Sequence, residues 1–379
     1  MTVAWRSLPF DEAIHDISAG NPKLQTGDYL QAGRYPIVDQ GKDLIAGYYD
    51  DPSALARISG PAIIFGDHTR AIKYADFDFC VGADGVKILK PINDIDPKYA
   101  FHFLSSIKLP SAGYSRHFKF LRRLDVIFPP LDEQRRIAAI LDQTDELRRK
   151  RREAIQYLDK LRSTFFNSAF GDLAQNKKDW EREKFDTLIE NIDSGWSPIC
   201  LDRPATADEW GVLKLSAVTR CEYDDREQKA LPIAVLPRSD IEVKTGDILI
   251  TRKNTRDLVA ACALVTHTRP RLMLSDLIFR IRLKPHAQVE PAFIHGLLTQ
   301  PSKRRAIQAL AGGSAGSMPN ISKEKLRTVL VEMPPIALQR TFATRVAEID
   351  NLKALHRGHL AKLDALFASL QHRAFRGEL

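Results

Sequence analysis

The chain repeats itself. Pro129-Pro130-Leu131-Asp132-Glu133-Gln134-Arg135 returns as Pro334-Pro335-Ile336-Ala337-Leu338-Gln339-Arg340, and the match continues without a gap at a constant offset of 205 residues. Ala138 meets Ala343, Asp145 meets Asp350, Leu147 meets Leu352, Arg152 meets Arg357, and Ala169-Phe170 meets Ala374-Phe375. A second match opens each half at an offset of 175, setting Trp5, Phe10, Asp11, Ile14, Ile17 and Gly20 against Trp180, Phe185, Asp186, Ile189, Ile192 and Gly195. The order is therefore globular segment, repeated segment, globular segment, repeated segment. The second half carries 30 additional residues in its middle. Two such long units are not a solenoid, whose periods are shorter and more numerous.

The repeated segments read as long helices. Each double proline stops the preceding element and permits a fresh start. From Leu131 to about Phe170 there is neither Pro nor Gly, and helix-forming residues dominate. Stepping alternately by four and three gives Ile140, Thr144, Leu147, Arg151, Ala154, Leu158, Leu161 and Phe165, a heptad seam with a polar middle. The second copy gives Ile349, Leu352, His356, His359, Leu363, Leu366 and Leu370. Forty residues make a rod of about 60 Å, and a rod with so narrow an apolar stripe needs a partner. The expectation is that the two pair as an antiparallel coiled coil and relate the halves by an approximate two-fold axis. The alternative is two amphipathic helices, each packed on its own domain. The polar seam residues are read as fixing register, since no third ligand accompanies His356 and His359 for a metal. The basic run Arg148-Arg149-Lys150-Arg151-Arg152 lies among Asp142, Asp145, Glu146 and Glu153. It reads either as a salt-bridged face or as a contact for DNA phosphate or an acidic subunit.

The fold class expected is α+β: two globular α/β domains separated by two long helices. The boundaries are 1–130 for the first domain, 131–171 for the central helix, 172–333 for the second domain and 334–379 for the C-terminal helix. Strands are expected at Pro61–Phe65, Ala71–Tyr74, Phe77–Val81 and Val86–Leu89, and again at Gly211–Leu215, Asp247–Thr251, Ala260–Thr266 and Leu277–Leu283. A helix follows each set, Pro97–Ser106 and Pro291–Gln300, then a polar loop and a last strand running into the double proline.

Those loops hold the candidate binding residues. The first domain offers His68, Thr69, Arg70 and Lys73, with Tyr114, Ser115, Arg116, His117 and Lys119. The second offers Arg252, Lys253, Asn254 and Arg256, with Ser314, Ser317 and Asn320 in a glycine-rich stretch. Arg and Lys address guanine edges, Asn addresses adenine, and glycines and hydroxyls suit close approach to phosphate. Each cluster in isolation also fits plain solvated surface. A net charge of +8 permits a nucleic-acid partner without demanding one.

Several classes are excluded. No P-loop, His-Glu-x-x-His or Gly-x-Gly-x-x-Gly motif is present. Asn21-Pro22-Lys23-Leu24 lacks the aromatic that stacks on a flipped base and reads as a turn. The four cysteines, Cys80, Cys200, Cys221 and Cys262, lie far apart, as small packed residues of a reducing compartment do. No apolar run approaches membrane-spanning length and no signal peptide opens the sequence, so a cytoplasmic location is expected.

The run Pro-Pro-Leu-x-Glu-Gln-Arg-Arg-Ile-Ala-Ala-Ile-Leu-Asp from Pro129, followed by an Arg-rich helix ending near Phe170-Gly171, resembles the specificity (S) subunit of type I restriction–modification systems. The C-terminal copy fits that pattern less closely, because Ala337 and Leu338 replace Asp-Glu and Gly358 interrupts the helix. Phe65-Gly66-Asp67-His68-Thr69-Arg70 resembles the family too. The resemblance implies a non-catalytic subunit whose two target recognition domains read the halves of a bipartite, asymmetric DNA site. It implies that the paired helices fix the spacer and dock two modification methyltransferase subunits, with Gln134, Arg135, Leu147, Arg151, Leu158, Gln339, Arg340, Leu352 and Leu363 as spacer or partner residues. S-adenosylmethionine, ATP and Mg would then belong to partner subunits, including a restriction/translocase subunit, and no cofactor or metal to this chain. The other reading is a coiled-coil scaffold that joins proteins and binds no DNA.

Overall fold

A computed structural model describes residues 5–110, 115–173, 175–312 and 318–379. The chain forms two compact units, Met1–Ala154 with His356–Leu379, and Ile155–Leu355. Each long helix is shared between them, so each unit contains the start of one and the end of the other.

In the first unit, Arg6–Pro9 pairs antiparallel with Asp125–Phe128, the strand that runs into Pro129-Pro130. A four-stranded sheet follows in the order Ile14–Asp16, Val86–Pro91, Ala62–Gly66, Ile72–Ala75. A second sheet holds Lys23–Leu24, Cys80–Gly82, Tyr35–Val38 and Gly47–Tyr49. The second unit repeats the plan. Arg182–Lys184 pairs with Leu330–Glu332, and the main sheet runs Ile189–Ser194, Ile278–Leu283, Ile248–Thr251, Cys262–Leu264. Its second sheet has Gln228–Ala230, Gly211–Leu213 and Leu272–Met273. The α+β expectation holds, and the expected strands fall within a few residues of the observed ones. The exceptions are local. Of Phe77–Val81 only Cys80–Val81 is strand, continuing to Gly82, and the helix from Pro291 stops at Thr299. A further helix, Pro301–Ala309, restarts at a proline in its first turn, where the missing N–H costs nothing.

The long helices span Leu131–Phe170 and Ile336–Ala374. Gly171, at φ +79°, ends the first one and donates its N–H to Asn167. This left-handed position is one that glycine takes without strain. The start of each helix enters the core of its own unit. Ile137, Ala138 and Leu141 pack with Phe10, Tyr99 and Phe128, and Ala374 from the end of the other helix completes that core. In the second unit Phe166 and Phe170 meet Phe293 and Phe342, with ring centroids 4.9–6.1 Å apart.

Between these anchor points the helices pair antiparallel and through charge. In the first unit Arg148 reaches Asp364 at 2.7 Å and lies 4.3 Å from the Phe367 ring centre, while Arg151 contacts His356 at 3.1 Å. In the second, buried Lys353 binds Asp159 and Glu222, and Arg162 meets Asp350 at 3.5 Å. Thr144 and Leu158 are buried as the heptad expects. At three of its other positions the seam is displaced by one residue. Leu147, Leu352 and Leu366 are each about half exposed, and the inward places go to Arg148, Lys353 and Phe367. Stepping by hydropathy chose neighbouring leucines because charged residues fill the true seam. The basic run is internally paired: Arg149 with Glu146 and Glu153, Lys150 with Glu146, and Arg152 with Asp364.

Candidate nucleic-acid interface

In the first unit the strand Ala62–Gly66 ends in a loop held by Asp67. The Asp67 N–H donates to the Gly85 carbonyl at 2.7 Å, and its own carbonyl accepts the His117 N–H at 2.8 Å. Its carboxylate accepts the Phe118 N–H at 2.7 Å. This pins His68, Thr69 and Arg70 beside Ser115, Arg116, His117 and Lys119, although the two groups are far apart in sequence. Gly66 is required here, because a Cβ would lie 2.7 Å from the Gln40 carbonyl oxygen. Thr69, Arg70, Arg116 and Lys119 are exposed. Arg70 closes the turn at φ +62° and donates to the Leu109 carbonyl at 3.2 Å.

Lys73 and His117 point inward. Lys73 is 5% exposed and donates to the Asp39 carbonyl at 2.8 Å. Burial holds its ammonium below the usual lysine range, with Asp39 opposing. His117 is buried, with its ring Nδ1 3.0 Å from the Asp67 carbonyl. Tyr114 lies outside the described residues.

The second unit builds the same junction with different side chains. Arg252 donates its N–H to the Leu277 carbonyl at 2.9 Å and accepts the Ile321 N–H at 2.8 Å. Lys253 forms a backbone bridge to Asn320, which also bridges Gly312. Arg252, Lys253 and Asn320 are thus brought together, with exposed Arg256 on the same loop. Asn254 is 7% exposed, and its side-chain carbonyl accepts the Thr255 N–H at 2.8 Å. It serves the turn rather than the surface. Ser314 and Ser317 lie outside the described residues.

The spacer candidates divide into two kinds. Gln134 and Gln339 are fully buried. Gln134 accepts the Asp96 N–H at 2.7 Å and donates to the Asp94 and Pro129 carbonyls. Gln339 accepts the Glu290 N–H at 3.0 Å and donates to the Gln288 and Pro334 carbonyls. Each ties the start of a long helix to the entry of a domain helix. Arg135 and Arg340, by contrast, are about two-thirds exposed with single ion pairs at 3.8 and 3.2 Å. Arg151 and Leu158 face inward, Leu363 is half-buried, and Leu147 and Leu352 face solvent.

Comparison with known proteins agrees with this architecture. Residues 13–157 match the type I restriction modification DNA specificity domain. The Escherichia coli EcoEI specificity subunit is 40% identical over 180 residues, 46% of this chain and 30% of that subunit. The EcoR124I/EcoR124II specificity subunit, also from E. coli, is 26% identical across 92% of this chain and 87% of its own length. The EcoBI subunit is 22% identical across 97% and 79%. The crystal structure of the S subunit from M. genitalium superposes with a TM-score of 0.62 at 14% identity, covering 98% of this chain and 96% of that one. Along nearly its whole length the chain is similar to the specificity-subunit family of type I restriction–modification systems. Recognition of DNA sequence is the role of that family, which is the non-catalytic component of these systems.

One polar cavity of about 490 Å³ lies in the second unit, lined by Asp159, Arg162, Cys221, Glu222, His295 and Thr299 among others. It contains a cysteine and a histidine but not a nucleophile–base pair. His295 Nδ1 accepts from Arg162 at 2.6 Å, and Nε2 faces the carbonyls of Cys221 and Cys262 at 3.0 and 3.2 Å. Both ring nitrogens are therefore engaged with groups other than the thiol. Burial and the adjacent Arg162 push the imidazole down to about 3, so it is neutral at physiological pH. Among the described residues no three metal-ligating side chains cluster, and no helix is long and apolar enough to cross a membrane.

Sequence reasoning missed three basic residues beside these loops. Arg123 and Lys119 both lie over the Phe120 ring, at 6.0 and 5.2 Å. Lys323 lies 5.6 Å from the Phe279 ring centre and lines a cleft with the third residue, Arg238. A cation one to three residues from an aromatic signals Arg123 and Lys119; Lys323 carries no such signal, because its ring is distant in sequence.

Proposed function

We propose that this chain reads a bipartite, asymmetric DNA site on behalf of a type I complex, each unit addressing one half. The observation that carries the reading is the shared junction. Both units fasten the loop after a central strand to the segment before a short helix by equivalent backbone bonds, yet display unlike side chains there. One scaffold with two unlike faces suits one asymmetric target. Exposed Thr69, Arg70, Arg116 and Lys119, with half-buried His68 and Ser115, form the first face; exposed Arg256 and Asn320, with half-buried Arg252 and Lys253, form the second. Inward-facing Lys73, His117 and Asn254 shape the loops rather than touch DNA.

In this reading 1–130 and 172–333 are the target recognition domains, and 131–171 and 334–379 the spacer helices. Exposed Arg135, Arg340, Leu147 and Leu352 are the groups offered to two modification methyltransferase subunits. S-adenosylmethionine, ATP and Mg are bound by partner chains, among them a restriction/translocase subunit, and the complex works in the cytoplasm.

Footprinting of the chain assembled with its modification subunit tests this. Two protected half-sites separated by an unread spacer are expected, with affinity falling with salt at a logarithmic slope near −0.9 per phosphate contact. Equal affinity for every duplex would instead identify a protein–protein scaffold.

A further inference from the structure

Asp67 and Arg252 occupy the same place in the two units. Each donates its N–H to a strand carbonyl, of Gly85 and Leu277, and each accepts from the residue leading into a short helix, His117 and Ile321. Their side chains do different work. Asp67 is 3% exposed and caps the helix Phe118–Leu121. In the second unit the helix Lys323–Arg327 is capped by its own Ser322, whose hydroxyl accepts the Lys325 N–H at 3.3 Å. Position 252 is thereby released from structural duty, and it holds an arginine.

That arginine is held in place. Its guanidinium lies 5.5 Å from the centre of the Phe279 ring, beside Lys323 at 5.6 Å. Phe279 is buried, so the surface beneath the guanidinium is rigid. The Nε atom is buried without a hydrogen bond. Among the described residues neither Arg252 nor Lys323 forms an ion pair, and two cations sharing one ring repel each other. The arrangement lacks an acceptor-rich partner.

We propose that Arg252 reads a guanine in the half-site addressed by the second unit, with Lys323 on an adjoining phosphate. This rests on the DNA-reading function above and goes beyond it by naming the residue and the base. A guanidinium fork matches the O6 and N7 acceptors of guanine in the major groove, and that match needs a fixed plane. The locked backbone and the Phe279 ring supply one. Phosphate binding needs only a point charge, which Lys323 provides.

The test uses the chain assembled with its modification subunits and a pool of duplexes randomised across the half-site. The wild-type complex should demand guanine at one position. Arg252→Ala and the charge-preserving Arg252→Lys should both lose that demand, with about 10- to 100-fold weaker binding to the parent duplex. Every other position, and the whole of the first half-site, should be unchanged. Replacing that guanine by 7-deazaguanine, which lacks N7, should weaken the wild-type complex and leave Arg252→Ala unaffected. Uniformly weakened binding with sequence preference intact would overturn the assignment in favour of a phosphate contact. A wild-type complex without any sequence preference would overturn the DNA-reading function itself, a result distinct from failure of Arg252 alone.

Discussion

Gln134 and Gln339 show how one side chain can carry a repeat. Each satisfies three backbone groups at the junction of a long helix with its domain, through the same bonds in both units. Truncation strands those groups where the side chain stood, fully buried. Gln339→Ala should therefore destabilise the second unit by about 2–4 kcal/mol, read from urea denaturation, since each buried unsatisfied group costs ~1–3 kcal/mol. His295 makes the opposite use of burial. Its folded value of about 3 lies below the ordinary 6.5. The unfolded chain thus takes up its proton first as pH falls, and the stability held above pH 6.5 is lost progressively toward pH 3. Denaturation across that window should show wild type losing more stability than His295→Gln, a difference of up to a few kcal/mol at ~1.4 kcal/mol per unit. Equal slopes would mean that the imidazole titrates normally. The glutamine pair was visible in the repeat, but a sequence match does not reveal which backbone groups a side chain will meet. Lys73, His117 and Asn254 were chosen by chemical type. Their burial follows from Asp39, Asp67 and a local turn, which no spacing rule exposes.

At the scale of the element, the first long helix was legible to within a residue in length, whereas the second, expected over 334–379, spans only Ile336–Ala374. Double prolines and absent breakers set their starts and extents. The heptad failed at Leu147 and Leu352 because it sought leucine where the seam holds Arg148 and Lys353. Charges across a seam define register better than leucines do, since a slip of one turn leaves a buried ion without its partner. Lys353 is the sharpest case, 3% exposed between Asp159 and Glu222. Lys353→Met should cost the second unit about 1–3 kcal/mol, because two partly exposed carboxylates lose their shared cation. Combining it with Asp159→Asn and Glu222→Gln should recover most of that loss in a thermal melt. No recovery in the triple variant would show that lysine acts by packing instead. The short elements around the binding loops were less legible. The helix Pro301–Ala309 restarts after a single Gln300 joint, and the sequence reading, which ended its helix at Gln300, passed over it.

For the whole molecule, duplication was the dominant signal, and it gave both the shared plan and the extra length of the second half. What it does not encode is how the two helices constrain each other. An insertion into one helix alone shifts its charges past their partners, as Arg148 and Arg152 on Asp364 or Arg162 on Asp350 make plain. A spacer ruler can therefore be lengthened only by matched insertions in both helices that preserve the seam. Seven residues added to each, two helical turns at ~1.5 Å per residue, extend the rods by about 10 Å. If the rods set the spacer, the recognised gap should lengthen by about three base pairs at ~3.4 Å each, with both half-site sequences unchanged. A four-residue insertion in the first helix alone should instead lower stability before it alters the gap. Methylome sequencing of cells carrying each variant separates the outcomes. Altered half-sites with an unchanged gap would locate spacing in the globular units and remove the ruler from the helices.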